Sequence, residues 1–308
     1  MPEAQKNKIA KESNVLHQLS EFEPGARVLV LDMDGTLYSV DKIVEKHAKR
    51  LFKHISQEKL ENAEKEYKLA REGICGPCIG TTYDVKNDML LELGQDMKVV
   101  AAYKWDGSKL NSNDIMAMYP EPVKHNLESM LSIGDGWWIP LSITLHHYSG
   151  SAEDRLALSK QTGEDYIATK QYMHEHPEEF RIPRNESIVN ALKEFRKSGN
   201  KVIVATNSGL EDAQRVLDQL GILDLCDEVV ARAGKPTNSD LLFKSISRSN
   251  NLRKGEGISI GDNVLNEILP AKLNGFKTIF VGNPGKQNLF GTDVVADTIK
   301  DALSIIRH

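Results

Sequence analysis

Between Arg27 and Tyr38 the chain reads Arg-Val-Leu-Val-Leu-Asp-Met-Asp-Gly-Thr-Leu-Tyr. No other stretch constrains the fold as much. Val28 to Leu31 is an aliphatic run without polar alternation, stopped at once by a turn signal, so it predicts a short strand buried on both faces. Strands of that kind belong to parallel sheets covered by helices on either side. This one ends in two carboxylates, Asp32 and Asp34, followed by Gly35 and Thr36. In an open α/β sheet the carboxyl ends of the strands are where ligands bind, and the glycine lets the backbone bend so that both acids can face one ligand. An Asp-Gly turn closing an ordinary strand is the competing explanation.

The distal part of the chain repeats the pattern. Glu186 to Lys197 predicts an amphipathic helix, Lys201 to Ala205 a strand ending in Thr206-Asn207-Ser208-Gly209, and 211–220 a helix. A strand at Glu228 to Ala231 leads to Gly234-Lys235-Pro236, then a helix over 238–250. A strand at Gly257 to Ile260 ends in Gly261-Asp262-Asn263, then a helix over 264–274. Strands at Phe276 to Val281 and Val294-Val295 and a helix over 298–307 complete the series. Alternating strands and helices mean right-handed crossovers and a parallel sheet. The expected fold class is therefore α/β, a Rossmann-like parallel-sheet core over 1–42 and 181–308. A mainly helical segment, 43–180, is inserted after the first strand.

Within the insertion, helices are expected over 41–56, 57–71, 82–93, 121–132, 152–160 and 164–176, with a short strand at Val99 to Tyr103. The stretch 133–150 resists assignment. Residues 1–24 read as a frayed tail or one short helix carrying Val15, Leu16 and Leu19.

A parallel sheet puts all carboxyl ends on one edge, so Asp32, Asp34, Thr206 and Asp262 can meet there, and Lys235 can reach them from its loop. Carboxylate oxygens suit Mg²⁺, which takes one or two protein carboxylates and keeps several waters. A hydroxyl, an ammonium and backbone N–H groups suit phosphoryl oxygens. A carboxylate can also be the nucleophile.

These residues carry a resemblance. Asp32-Met33-Asp34-Gly35-Thr36, the strand-end Thr206, Lys235 and Gly261-Asp262 with Glu267 are similar, in this order, to the four motifs of the haloacid dehalogenase-like (HAD) hydrolases. The likeness covers about 22–42 and 181–308, and the insertion stands where that family carries its C1 cap. It implies Asp32 as nucleophile and Asp34 as acid–base partner. It further implies Thr206, Asn207 and Lys235 on the phosphate, and Asp32, the Asp34 carbonyl and Asp262 on Mg²⁺. Glu267 stands where Asp is commoner, and the resemblance gives it a supporting place, through water or by orienting Lys235.

Dehalogenases of the family lack the second acid, so Asp34 favours a phosphatase acting on a small phosphorylated metabolite. A sugar phosphomutase and a catalytically silent binding member are the alternatives. A phosphonatase would need a cap lysine, and no lysine in 43–180 stands out in the sequence.

Composition narrows the partners. A net charge of −5 over 308 residues argues against a general nucleic-acid binder. No apolar run approaches the roughly 20 residues of a membrane span, Met1 to Gly25 lacks the apolar core of a signal peptide, and three cysteines make no disulfide framework. The expectation is a cytoplasmic enzyme. Cys75-Gly76-Pro77-Cys78 has the redox tetrapeptide spacing without the preceding strand that such a motif needs. His146-His147 and His174-Glu175-His176 are expected as solvated helix-end histidines, and Trp137-Trp138 as cap core.

Overall fold

The computed structural model describes residues 25–74, 76–94, 96–283 and 289–306. The tail or helix expected over 1–24, and Cys75, lie outside the described residues. Strand β1 (Val28–Leu31) is at the heart of a six-stranded sheet with β6 (Lys201–Ala205), β7 (Glu228–Val230), β8 (Gly257–Gly261), β9 (Lys277–Val281) and β10 (Val294–Ala296), in the order β10-β9-β8-β1-β6-β7. Every pairing in this sheet is parallel, with Val28 opposite Lys201 on one side and Gly257 on the other.

The two-faced burial expected of Val28 to Leu31 follows from the period of two along a strand. Leu29 and Leu31 join Ile188, Leu192, Val216 and Leu303 in one core layer, while Val28 and Val30 meet Phe243, Ile246 and Ala271 in the other. The covering helices are α6 (Glu186–Lys197), α7 (Leu210–Leu220), α8 (Ser239–Ser249), α9 (Leu269–Leu273) and α10 (Ile299–Ile305). The expected helix over 264–274 is split: Val264–Ile268 is a π-helical turn, and only then does α9 begin.

The inserted segment differs more from expectation. Helices α1 (Asp41–Leu51), α2 (Gln57–Arg71), α3 (Ser112–Met118), α4 (Trp138–His147) and α5 (Ala152–Glu175) surround a four-stranded antiparallel sheet. Its strands are β2 (Thr81–Asp84), β3 (Met89–Leu93), β4 (Val99–Tyr103) and β5 (Met130–Ile133), in the order β4-β3-β2-β5. The stretch 82–93 is thus a hairpin and not a helix. Its turn is set by Asp84, whose carboxylate accepts from the N–H groups of Lys86 (3.1 Å) and Asn87 (3.2 Å), and by Asp88 at φ +57°. Such side-chain bonds offer the backbone an alternative to the helix. The stretch 121–132 is likewise no helix and ends in β5; Pro120 and Pro122 lie at its start, and proline cannot donate inside a helix. The two helices expected over 152–176 are one, started by a Ser151–Asp154 capping box and running through Gly163, whose cost of about 1 kcal/mol does not break it.

Ala48, Leu51, Tyr83, Leu131 and Ile143 form the core between these helices and one face of the sheet. Among the described residues no helix is long and apolar enough to cross a membrane.

Candidate active site

Three adjacent strands, β8, β1 and β6, end side by side, and their loops bring the sequence-predicted residues together. Asp32 opens the turn after β1, its N–H still bonded to the Ile260 carbonyl at 3.0 Å. Its two carboxylate oxygens are held differently: Oδ1 accepts from Lys235 Nζ (2.7 Å) and Oδ2 from the Thr36 hydroxyl (3.0 Å). The Thr36 hydroxyl also lies 3.4 Å from Asp262 Oδ1. The motif's threonine thereby spans the two carboxylates.

Gly35 is needed twice over. It adopts φ +86°, and a Cβ there would stand 2.2 Å from Asp262 Oδ2. Only a residue without Cβ permits both the left-handed backbone and the close approach of the Asp262 carboxylate.

Lys235 reaches the same edge from the loop after β7. Its ammonium is buried and donates to Asp32, to Glu267 Oε1 (2.6 Å) and to the Ala205 carbonyl (2.8 Å). Burial alone would lower its pKa, but the Asp32 and Glu267 carboxylates raise it, so the ammonium stays charged. Asn207, expected among the phosphate ligands, is turned elsewhere. Its amide donates to the Lys235 carbonyl (2.9 Å) and accepts from the Lys235 N–H (2.8 Å), clamping the lysine's loop. Thr206 is buried, and its hydroxyl oxygen accepts from the Ser208 N–H at 3.1 Å.

Glu267 projects from the π-helical turn. Besides Lys235 it accepts from the Asn263 N–H (3.2 Å), so it braces both the lysine and the loop carrying Asp262. Burial raises its pKa to about 8, against the opposing pull of Lys235. Asp262 is half-buried, yet the protein around it, with Asp32 and Glu267 close by, holds its carboxyl well above the usual range.

Asp34 has a separate set of partners. Oδ1 accepts from the Tyr38 hydroxyl and from Lys170 Nζ (3.3 Å), and Oδ2 from the Ser208 hydroxyl (3.0 Å). Burial works against ionisation here, but the Lys170 charge and the Tyr38 and Ser208 donors outweigh it and hold the carboxyl below its ordinary value.

Several of these partners were not legible in advance. Lys170, in α5, is a buried lysine of the inserted segment at the site, where none was expected. It also pairs with Asp212 of α7 at 2.9 Å, and Asp212 with His174 at 3.0 Å. His174 is therefore no solvated helix-end histidine. Neither are His146, stacked on Trp105 and paired with Asp88 at 3.0 Å, and His147, paired with Glu66 at 2.9 Å. Trp138 packs in the apolar cluster of the inserted segment, whereas Trp137 packs against the cluster under the parallel sheet, with Lys170 Nζ 5.7 Å from its ring. Asp135 accepts from Asn263 Nδ2 at 3.2 Å, and burial pushes its carboxyl up to about 6.

The fold defines a class: a Rossmann-like α/β protein whose central strands end in acids and a hydroxyl, with a second sheet inserted after the first strand. A model of the haloacid dehalogenase-like hydrolases matches residues 26–275. The chain belongs to that family of hydrolases.

Solved structures match most of the chain at low identity. They include a haloacid dehalogenase-like family protein from Streptococcus pneumoniae (14% identity, TM-score 0.49, covering 91% of this chain and 98% of that one). A dehalogenase with an intermediate complex (12%, 0.46, 93% and 99%) and a HAD phosphatase from Thermococcus onnurineus (13%, 0.45, 91% and 97%) are others. A search of curated proteins finds no match to this sequence.

Proposed function

We propose that the protein is a Mg²⁺-dependent phosphatase that hydrolyses a small phosphomonoester through a phosphorylated Asp32. The observation that carries this reading is the second acid: Asp34 is built into the site by three donors, at the end of the same turn as Asp32. A departing alkoxide needs a proton, whereas a halide needs none. An acid two residues from the nucleophile answers the first requirement and has no part in the second.

The residues fit a magnesium ion by the chemistry of the donors. Asp32, Asp262 and Glu267 crowd around one ammonium, leaving an excess of negative charge that a cation would relieve. Among the described residues no set of three or more His, Cys, Asp or Glu side chains is disposed to hold a metal. Mg²⁺ asks for less, one or two carboxylates with waters. Asp32, the Asp34 carbonyl and Asp262 would hold the ion, which would supply positive charge to the phosphoryl oxygens.

The protein's own groups would do the rest. Asp34, ionised in the free protein, takes up a proton when the anionic ester binds beside it; Asp32 then forms a bond to phosphorus as the ester P–O bond breaks, and Asp34 gives that proton to the leaving oxygen. Asp34, now ionised, takes a proton from the water that attacks phosphorus and frees Asp32. Lys235 and Thr206 offset the charge on the phosphoryl oxygens, and Lys235 also holds Oδ1 of the nucleophile in line.

Asp32→Asn should abolish phosphate release from 4-nitrophenyl phosphate in Mg²⁺. Retained turnover in that variant would overturn the mechanism. A panel of phosphorylated metabolites assayed with the unaltered protein identifies the substrate.

A further inference from the structure

Asp34 is held by donors from two different bodies. Tyr38 and Ser208 belong to the core domain, although Tyr166 of α5 also pairs with Ser208. Lys170 belongs to α5 and is the donor that the insertion delivers. Its side chain is 9% exposed, and it stands between Asp34 and Asp212, two carboxylates anchored on different core elements. Trp137 lies alongside its ammonium. A buried lysine is costly unless paired, and the pairing here exists only while α5 rests on the core.

We propose that Lys170 is a positioning residue for the acid–base step: seated by the cap, it fixes the Asp34 carboxylate relative to the leaving-group oxygen, and Asp212 anchors it there. The proposal rests on the phosphatase reading above. Asp34 has one oxygen on Ser208 and the other on Tyr38 and Lys170, so withdrawing the lysine leaves the carboxylate two donors instead of three and removes the charged one. Acid–base chemistry at that carboxylate is then best organised while α5 rests on the core. Asp212 is three residues beyond the Ser208-Gly209 turn, which links the same anchor to the loop that carries Thr206.

The test combines a measurement on the ligand-free protein with one on turnover. In Lys170→Met, backbone hydrogen exchange over 166–175 and 208–213 should quicken by about tenfold or more, because the tie between the two bodies is lost. Lys170→Arg keeps both carboxylates paired and should retain near-normal exchange, which separates the tie from a general loss of folding.

With Mg²⁺, Lys170→Met should lose about a hundredfold in kcat on an alkyl phosphate, the scale of a misplacement near 1 Å, and Lys170→Arg should recover most of that loss. On 4-nitrophenyl phosphate, whose leaving group needs little protonation, the loss should be only a few-fold, with KM little changed. Equal losses on both esters, a change confined to KM, or unaltered exchange in Lys170→Met would each overturn the proposal. If the unaltered protein released phosphate from no ester, the phosphatase reading would fail by itself, while the exchange measurement would still decide whether Lys170 ties the cap to the core.

Discussion

Gly35→Ala is the sharpest single perturbation of the site, because the structure sets its size. The added Cβ would lie 2.2 Å from Asp262 Oδ2 and 3.0 Å from its Cγ. Carbon and oxygen ordinarily approach no closer than about 3.3 Å, so the carboxylate must retreat by roughly 1 Å. The backbone adds strain of its own, since an L-residue in the left-handed region costs about 1–2 kcal/mol. On a chain of this size that strain lowers the melting temperature by about 1.5–3 °C.

Function should suffer far more, because a displacement near 1 Å in a reacting site costs about a hundredfold in rate. Gly107→Ala is the matched control. Gly107 also has a positive φ, +83°, but a Cβ there meets nothing within 4 Å. The control should pay the backbone strain and keep its turnover. The assay is phosphate release under saturating Mg²⁺, beside melting curves with and without the ion. If Gly35→Ala keeps activity within about threefold of the unaltered protein, with its Mg²⁺-dependent rise in melting temperature intact, the close packing of Gly35 on Asp262 is not what shapes the site.

The crowded acids make a second prediction. Glu267 titrates near 8 when folded against a reference of 4.5. A raised carboxyl binds its proton more tightly in the folded state, so its contribution to stability is full below pH 4.5 and is lost as pH rises through 8. Metal-free protein should therefore melt progressively lower across that window, and Mg²⁺ should raise the melting temperature most at its alkaline end; a flat profile in chelator would refute this. Gly134→Ala would bring a Cβ to 2.1 Å from Asn263 Nδ2. It should break the Asn263–Asp135 contact and lower kcat, with little change in melting temperature, measured side by side.

What the sequence disclosed, and what it hid, follows from the range of the interactions. The central strands were readable because Val28 to Leu31 and Val202 to Ala205 are apolar on both faces, a local property. Asp32, Asp34, Thr206, Lys235 and Asp262 were readable because each is at a strand end or in the loop beyond one, and topology alone carries them to one edge. The clamp that the Asn207 amide makes was not readable, because it answers the backbone of Lys235, a partner no spacing reveals.

The inserted segment was harder for the same reason. Met89 to Leu93 is rich in good helix formers, and it becomes a strand because Thr81–Asp84 and Val99–Tyr103 flank it. Lys170 had no signature at all. It stands on an ordinary polar helix, and only the packing of that helix on the core makes it part of the site.

The place of β1 in the sheet also bears on how the chain is made. Its two neighbours begin at Lys201 and Gly257, far along the chain. At synthesis rates of about 5–20 residues per second, the nascent strand waits from roughly ten seconds to half a minute for its first partner. Through that interval four consecutive aliphatic residues have no sheet to enter, which is the hazard that unpaired apolar strands present. All four strands of the inserted sheet are synthesised before Lys201, so that sheet has its full set of partners before β1 has its first.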